Sequence, residues 1–201
     1  KKNMSTVFII NAGVPSPMGS RGALNDEMTR IAREEFERAG WTVLVTDLKN
    51  EWKLEEETAK ILAADLIIVQ TPTWAMYAPW QMKRWIDVVS TNPAVCGTDG
   101  RTRTDPSRKY GTGGFLTDKR YLISSTWNAP AEALFEPNGF YDGRGLEGAL
   151  LPLHKQFEYL GVAPLPSFAV HDVYKNPSIE GDLARWRSRV EAIARNPAKK
   201  D

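Results

Sequence analysis

The chain has 201 residues, enough for one sizeable core, and its 42% hydrophobic and 25% charged residues are typical of a globular protein. Lys and Arg total 26 against 25 Asp and Glu, so the net charge of +1 favours neither nucleic acid nor an anionic membrane as partner. The single cysteine, Cys96, cannot form an internal disulfide, which predicts a reducing, cytoplasmic compartment. No Cys/His pattern with metal-ligand spacing is present.

Short apolar runs alternate with amphipathic helical patterns from the start of the chain. The run Thr6–Asn11 is rich in bulky and β-branched residues, which predicts a strand buried on both faces. It is too short for the core of a signal peptide or for a membrane span. The next predicted elements are a Gly/Pro/Ser-rich loop at 12–22, a helix from Leu24 that ends at Gly40, a strand at Trp41–Asp47, a helix at Leu54–Ala63 and a strand at Asp65–Gln70.

The second half continues the alternation, with one long interruption. The predicted elements are a loop at Pro72–Pro79, a helix at Gln81–Val89, a polar stretch at 92–118, a strand at Arg120–Ser125, a helix at Leu146–Leu160, a strand at Pro166–His171 and a helix at Ile179–Ala194. A polar stretch as long as 92–118 in a compact domain is usually functional or covered by a partner.

Alternating strands and helices predict right-handed crossovers and a parallel sheet with helices on both faces. We therefore expect one α/β domain over residues 1–201, with five strands in the flavodoxin-like order 2-1-3-4-5. Ligands bind such sheets beyond the carboxyl ends of the strands, near the switch point between the first and third strands. The loops after Asn11, Gln70 and Ser125 are therefore the candidate functional segments.

The first of these loops feeds directly into a predicted helix. Its Gly/Ser-rich composition would leave backbone N–H groups free at the helix N-terminus, where a phosphate or pyrophosphate binds well. Ser16, Ser20 and Asn25 could add side-chain donors. The same composition also fits a flexible turn in which Ser16 or Ser20 caps the helix, and the loop by itself leaves both interpretations open.

The other two loops could hold a flat conjugated ring. The segment Thr71–Trp80 places aromatic and sulfur side chains at a strand end, where a bound ring or a protein partner would cover them. The segment Ser125–Pro130 offers Thr126 and Asn128 as hydrogen-bonding groups, although it is also ordinary turn chemistry. Three loops at one sheet edge support a ligand site more strongly than any one of them.

Several strings along the chain resemble the modulator of drug activity B family, within the NAD(P)H dehydrogenase (quinone) group of flavodoxin-like proteins. The matching strings are Leu24-Asn-Asp26, Ala78-Pro-Trp80, Asp99-Gly-Arg-Thr-Arg103, Asp105-Pro-Ser107, Lys109-Tyr-Gly111, Gly113-Gly114, Thr126-Trp-Asn-Ala-Pro130, Leu151-Pro152 and Pro164-Leu-Pro166. The chain departs from the family pattern at Val14–Pro17, where the loop is longer and lacks a His, and at Thr73 and Tyr77, which replace expected glycines.

The resemblance implies a homodimer that binds FAD rather than FMN, takes reducing equivalents from NADPH and reduces quinones by two electrons. It assigns the FAD pyrophosphate to Ser20, Gly22, Leu24 and Asn25. It places the isoalloxazine ring between two segments, Pro72, Thr73, Trp74 and Ala75 on one edge and Thr126, Trp127, Asn128 and Ala129 on the other. It also brings Tyr110 to the flavin of the partner subunit.

The chain shows no carboxylate pair or activated nucleophile, so we expect the cofactor to carry the chemistry. Tyr141, in the loop after the fourth strand, is the candidate proton donor to a quinone oxygen. Three alternative functions share the same site: a flavin-binding regulatory subunit of a potassium efflux system, an azo or nitroaromatic reductase, and a one-electron FMN carrier. The near-neutral charge argues against the last, because such carriers have an acidic surface.

Overall fold

The computed structural model describes residues 4–196; the ends of the expected 1–201 domain lie outside this range. The strands are β1 Thr6–Asn11, β2 Thr42–Asp47, β3 Leu66–Pro72, β4 Arg120–Thr126, β5 Ala163–Pro164 and β6 Phe168–Val170. The helices are α1 Ala23–Arg38, α2 Leu54–Ala63, α3 Trp80–Val89, α4 Glu132–Phe135, α5 Gly145–Ala149, α6 Leu151–Tyr159 and α7 Ile179–Arg195. The single turn α4 was not expected from the sequence.

The strands form one parallel sheet in the order β2-β1-β3-β4-β5, with β6 also paired to β4. The predicted strand order and the flavodoxin-like α/β fold are confirmed. Parallel pairing brings the carboxyl ends of β1, β3 and β4 to one edge, where Asn11 lies beside Gln70 and Gln70 beside Ser124. This edge carries the three loops that the sequence indicated.

Buried apolar side chains cover both faces of the sheet, as the apolar strand sequences require. On one face Trp85 of α3 packs against Phe8 of β1, with ring centroids 6.1 Å apart. On the other face Trp186 of α7 is fully buried, and its indole N–H donates to the carbonyl of Met28 in α1 at 2.8 Å. The sheet edge is thereby held between two packed helical layers.

The predicted end of the first helix is confirmed at Gly40, which has a φ of 82°. The Gly40 N–H donates to Glu37 O at 3.0 Å, and the Trp41 N–H donates to Phe36 O at 3.0 Å. These two bonds close the last turn of α1 in a Schellman motif, which needs a left-handed residue and therefore favours glycine. Because Trp41 closes the helix, β2 begins one residue later than predicted.

The strand predicted at Pro166–His171 is observed only over Phe168–Val170, as β6, and a separate two-residue strand, β5, precedes it. Tyr121 pairs with Pro164, and Ser124 pairs with Phe168. Between these two pairs, β4 has two residues, whereas the segment that joins β5 to β6 has three. One extra residue of this kind interrupts a ladder as a bulge does. Ser167 turns away, and its N–H and hydroxyl donate to the Glu147 carboxylate, both at 2.8 Å.

The predicted helix at Leu146–Leu160 is also divided, into α5 and α6. Pro152 lies in the first turn of α6, where its missing N–H is tolerated. In one continuous helix Pro152 would lose its bond to residue 148 and its ring would clash with that carbonyl. The chain therefore ends α5 at Ala149 and starts again at Leu151.

The long polar stretch 92–118 contains no helix or strand but is folded back on itself. Thr98 and Gly113 form an isolated bridge, and a Cβ on Gly97 would come within 1.8 Å of Gly113 O. The Leu116 N–H donates to Leu160 O at 2.8 Å, which ties the stretch to the end of α6.

In residues 4–196 no helix has both the length and the hydropathy needed to cross a membrane.

Candidate functional site

A cleft of about 550 Å³, which we call the strand-end cleft, opens at the carboxyl edge of the sheet. It is lined by Ser16, Pro17, Met18, Ser20, Arg21, Gly22, Ala23, Leu24, Asn25, Pro72, Thr73, Trp74, Ala75, Thr126, Asn128, Val173, Tyr174 and Ile179. The lining includes ten of the predicted site residues, from Ser20 to Asn128, and all three predicted loops contribute to it. Trp127, Ala129, Tyr110 and Tyr141 do not line it.

The first loop reaches α1 through a close backbone crossing of two glycines. Gly22 has a φ of 77°, and a Cβ built on it would lie 1.7 Å from Gly13 O. A Cβ on Gly13 would in turn lie 2.6 Å from the Cβ of Asn25. Both positions therefore require glycine, and the crossing delivers the loop onto the start of the helix.

The N-terminus of α1 is arranged to receive an anion. No side chain caps the helix, so its first N–H groups are open to the cleft beside Gly22 and Leu24. The one carboxylate of the first turn, Asp26, accepts a hydrogen bond from Asn11 Nδ2 at 2.8 Å and pairs with Lys49. These partners offset its charge, which would otherwise oppose a bound phosphate.

Asn25 contributes to the cleft differently from the prediction that its side chain helps hold a pyrophosphate. Its side chain is buried, accepting a hydrogen bond from Gln70 Nε2 at 2.8 Å and donating to Thr126 Oγ1 at 3.2 Å. The amide is therefore committed to the floor of the cleft. What Asn25 has left for a phosphate is its backbone N–H in the first turn of α1.

The loop after β3 is a tight two-residue turn in strained backbone. Trp74 and Tyr77 exchange hydrogen bonds of 2.7 and 2.9 Å, while Ala75 and Met76 have φ values of 45° and 68°. Two consecutive positive φ angles define the turn type that normally takes Asn-Gly, so alanine and methionine are held there at a cost. Such strain is common at ligand sites.

Few backbone donors of this loop remain for a ligand, although the sequence predicted contacts from all of Pro72–Ala75. Pro72 has no N–H, the Thr73 N–H donates to Thr126 O at 3.0 Å, and the Trp74 N–H is used in the turn. The Ala75 N–H has no hydrogen-bond acceptor among the described residues. Ala75 is therefore the donor that this loop offers to the cleft.

The loop after β4 presents one polar side chain and buries another. Asn128 is exposed in the cleft lining, whereas Trp127 is buried and its indole N–H donates to Ser125 Oγ at 2.8 Å. The Trp127 backbone N–H is also used, because it donates to Val170 O at 2.8 Å. Ala129 lies behind the cleft, where its carbonyl accepts the N–H of Asp172 at 3.1 Å.

Tyr141 stands behind the strained turn rather than in the cleft lining. Its ring lies edge-on to Trp127 at 5.9 Å, and its hydroxyl donates to Met76 Sδ at 3.3 Å. Burial raises the pKa of Tyr141 above its ordinary value of 10, so the hydroxyl keeps its proton at neutral pH. The Tyr141 hydroxyl is thus a hydrogen-bond donor to Met76, the residue that follows Ala75 in the turn.

Tyr110 lies in a different part of the protein. It is exposed and packs on Tyr159 of α6, with ring centroids 5.6 Å apart, beside a second cleft of about 630 Å³ that Cys96 also lines. Within one chain Tyr110 therefore does not take part in the strand-end cleft. The prediction for this residue concerns the cleft of a partner subunit.

Sequence reasoning missed Arg21 and the residues after β6. Arg21 is exposed in the cleft lining and has no salt-bridge partner among the described residues. Its place between Ser20 and Gly22 in the phosphate-type loop was the available signal. Val173, Tyr174 and Ile179 also line the cleft, which no local pattern indicated.

The two histidines serve structural contacts. His154 Nδ1 lies 2.7 Å from the Tyr121 hydroxyl, and its Nε2 lies 2.5 Å from Glu147. Burial lowers the pKa of His171, whose ring meets Phe135 edge-on at 6.2 Å. In residues 4–196 no group of three or more His, Cys, Asp or Glu side chains is arranged to hold a metal ion.

The residues of the cleft fit a flavin nucleotide. One part of the lining is a helix N-terminus with open N–H groups, against which the crossing of Gly13 and Gly22 holds the first loop. Another part has Ala75, Thr126 and Asn128, groups suited to the polar edge of a ring. The fold and this site together define a flavodoxin-like nucleotide-binding protein.

Comparison with known proteins agrees with this class. A family model described as a flavodoxin-like fold matches residues 5–193. The chain is 41% identical to an uncharacterized protein of Schizosaccharomyces pombe, over 93% of this chain and 96% of that protein. It is 37% identical to the NADPH:quinone oxidoreductase MdaB of Haemophilus influenzae, over 87% of this chain and 92% of that protein.

A solved structure extends the agreement in fold. General stress protein 14 of Treponema denticola, in complex with FMN, aligns with a TM-score of 0.64 and 14% identity over 94% of this chain and 99% of that one. At this identity the likeness concerns the fold alone. On the family match and the similarity to MdaB, the chain belongs to the modulator of drug activity B family of flavodoxin-like proteins.

Proposed function

We propose that this protein is an NADPH:quinone oxidoreductase that holds FAD in the strand-end cleft and reduces quinones to hydroquinones by a ping-pong sequence. The observation that carries the proposal is the cleft itself, whose lining joins an uncapped helix N-terminus to the polar groups of Ala75, Thr126 and Asn128. The activity of MdaB, a relative over nearly its whole length, supports the choice of reaction. A bound flavin would supply two-electron chemistry.

The residues of the chain bind and orient the cofactor in this proposal. The open N–H groups of the first turn of α1, with Ser20 and Arg21, bind the pyrophosphate. The Ala75 N–H and the Asn128 amide hold the polar edge of the ring, and the side chains of Pro72 and Trp74 exclude water beside it.

The choice of FAD over FMN rests on the family resemblance. Met18 and Tyr174 also line the cleft, and we assign the adenosine group of FAD to this part of the lining. The same proposal includes a homodimer, in which Tyr110 of one subunit reaches the flavin of the other. It also includes a cytoplasmic location, because the chain has a single cysteine.

The first experiment is a visible absorption spectrum under anaerobic conditions after incubation with FAD, then after NADPH and then after menadione. Flavin bands that bleach with NADPH and return with menadione are the expected result. Bound flavin that NADPH does not bleach would instead indicate the regulatory subunit of a potassium efflux system. Replacing menadione by an azo dye tests the azoreductase alternative on the same sample.

Two substitutions test the site residues. We expect Asn128→Ala to weaken FAD retention about fivefold, because a hydrogen bond to a polar ring edge contributes about 1 kcal/mol. Asn50→Ala, at another exposed asparagine, is the matched control. Tyr141→Phe tests the proposed proton donor, which predicts slower quinone turnover with unchanged flavin content; unchanged turnover would remove that role.

A further inference from the structure

The floor of the strand-end cleft is a buried row of three polar side chains that belongs to three different elements. Gln70 of β3 is fully buried, and its Nε2 lies 2.8 Å from Asn25 Oδ1 of α1. Asn25 Nδ2 lies 3.2 Å from Thr126 Oγ1, at the end of β4. Thr126 also lines the cleft, so the row connects the protein core to the ligand site.

Such a row can run in two directions. Each amide presents an oxygen on one side and a nitrogen on the other, and a hydroxyl can donate or accept. If Gln70 donates to Asn25, then Asn25 donates to Thr126, and the Thr126 hydroxyl proton is left for the cleft. If both amides are reversed, Thr126 donates to Asn25 and can only accept from a ligand.

The surroundings of Gln70 select the first direction. Gln70 Nε2 also lies 3.5 Å from Met28 Sδ, an atom that can accept a hydrogen bond but cannot donate one. On the other side of the amide, Gln70 Oε1 is buried without a partner among the described residues, as are the hydroxyls of Thr29 and Ser124. Ser124 pairs in register with Gln70, so its hydroxyl can donate to Oε1 through a buried water.

We propose that Gln70 is a positioning residue that makes the Thr126 hydroxyl a hydrogen-bond donor into the cleft. This inference rests on the proposed binding of flavin. A donor there favours the electron-rich, reduced form of the ring over the oxidised form, because a hydrogen bond strengthens as its acceptor becomes more negative. Gln70 thereby tunes the potential of the cofactor without touching it.

The test is the two-electron midpoint potential of the bound flavin in a double-mutant cycle of Gln70→Glu and Thr126→Val. A carboxylate at position 70 can only accept, so it reverses the row and removes the donor, as Thr126→Val does. We expect each variant to weaken binding of reduced relative to oxidised flavin about tenfold, a drop of about 30 mV. Because the added charge also lowers the potential, Gln70→Glu in the Thr126→Val background measures that contribution alone.

Non-additive drops, with a smaller effect of Gln70→Glu once Thr126 is valine, would support the inference. Gln81→Glu, at another glutamine with an unpartnered oxygen but outside the cleft lining, is the control for a Gln-to-Glu change away from the cleft and should leave the potential unchanged. If Gln70→Glu does not fold, Gln70→Met is the second variant. Methionine cannot donate to Asn25, so the Asn25 amide is free to take either orientation, and the potential should fall by part of the same amount without any added charge.

Two kinds of result would overturn the inference. The first leaves the proposed function in place, and the second rejects the proposed function as well. Additive drops, or a potential that does not respond to Thr126→Val, would show that Gln70 does not make the Thr126 hydroxyl a donor to the flavin. Either result would leave the proposed function in place. A wild-type protein that binds no flavin at any concentration would remove the proposed function and this inference together.

Discussion

Replacing Gly22 by alanine perturbs the point where the first loop crosses the start of α1. The new Cβ would lie 1.7 Å from Gly13 O and 2.4 Å from Gly13 C, whereas real Cβ contacts essentially never fall below 3.0 Å. The two backbone segments must therefore separate by more than an ångström. The φ of 77° at Gly22 adds the steric cost of a left-handed residue.

The magnitude follows from these two effects. A left-handed alanine costs about 1 kcal/mol. Separating the segments also strains the bond from the Gly13 N–H to Asn11 Oδ1, now 2.9 Å, and losing a buried bond of this kind costs a further 1–3 kcal/mol, roughly. We expect Gly22→Ala to lower the free energy of unfolding by about 3 kcal/mol.

Urea denaturation of the flavin-free protein measures the effect, with Gly19→Ala as the matched control. Gly19 has a φ of 95° in the same loop, but a Cβ there would meet nothing within 4 Å. We expect the control to lose only about 1 kcal/mol. A Gly22→Ala protein as stable as the control would refute the close crossing, and normal flavin binding by Gly22→Ala would refute its role in presenting the N-terminus of α1.

Three further substitutions test other parts of the structure. Ala75→Gly should raise the free energy of unfolding by about 1 kcal/mol, because glycine relieves the positive φ; lower stability in urea would contradict the strained turn. Glu57→Leu should cost about 3 kcal/mol, since it leaves the buried Trp85 indole N–H without its 2.8 Å acceptor, and adding Trp85→Phe should recover part of the loss. Burial would raise the pKa of Glu35, but hydrogen bonds from Arg187 and Arg38 outweigh burial and lower it below 4.5. The carboxylate therefore stabilises the protein above pH 4.5 and loses this effect as the pH falls through its lowered pKa, so Glu35→Gln should flatten the acid limb of a stability–pH curve.

Much of the fold was predictable because local sequence carries it. The apolar run Thr6–Asn11 predicted a buried strand, and Gly40 ended the first helix where its left-handed conformation was needed. The errors also have local causes. Pro152 divided a helix that apolar spacing predicted as continuous, and the extra residue in the segment before Phe168 delayed the start of the last strand without a recognisable local signal.

The candidate site was predictable as a set of loops but not as a set of contacts. Alternating strands and helices place the loops after β1, β3 and β4 at one edge, and the family strings select residues within them. The same strings include Trp127, whose side chain is buried and whose backbone N–H is consumed by β6. A string shows that a residue matters without showing which of its groups is free.

By itself, the sequence determined the order of the elements, the parallel sheet and the edge at which a ligand site would lie. Burial and periodicity are properties of neighbouring residues, so a short window of sequence contains them. Only the tertiary structure decided that Gly13 must cross Gly22 and that Asn25 must meet Thr126, 101 residues further along the chain. Contacts of this kind depend on the register between distant strands and on how closely two backbones approach, and neither quantity is written in any local pattern.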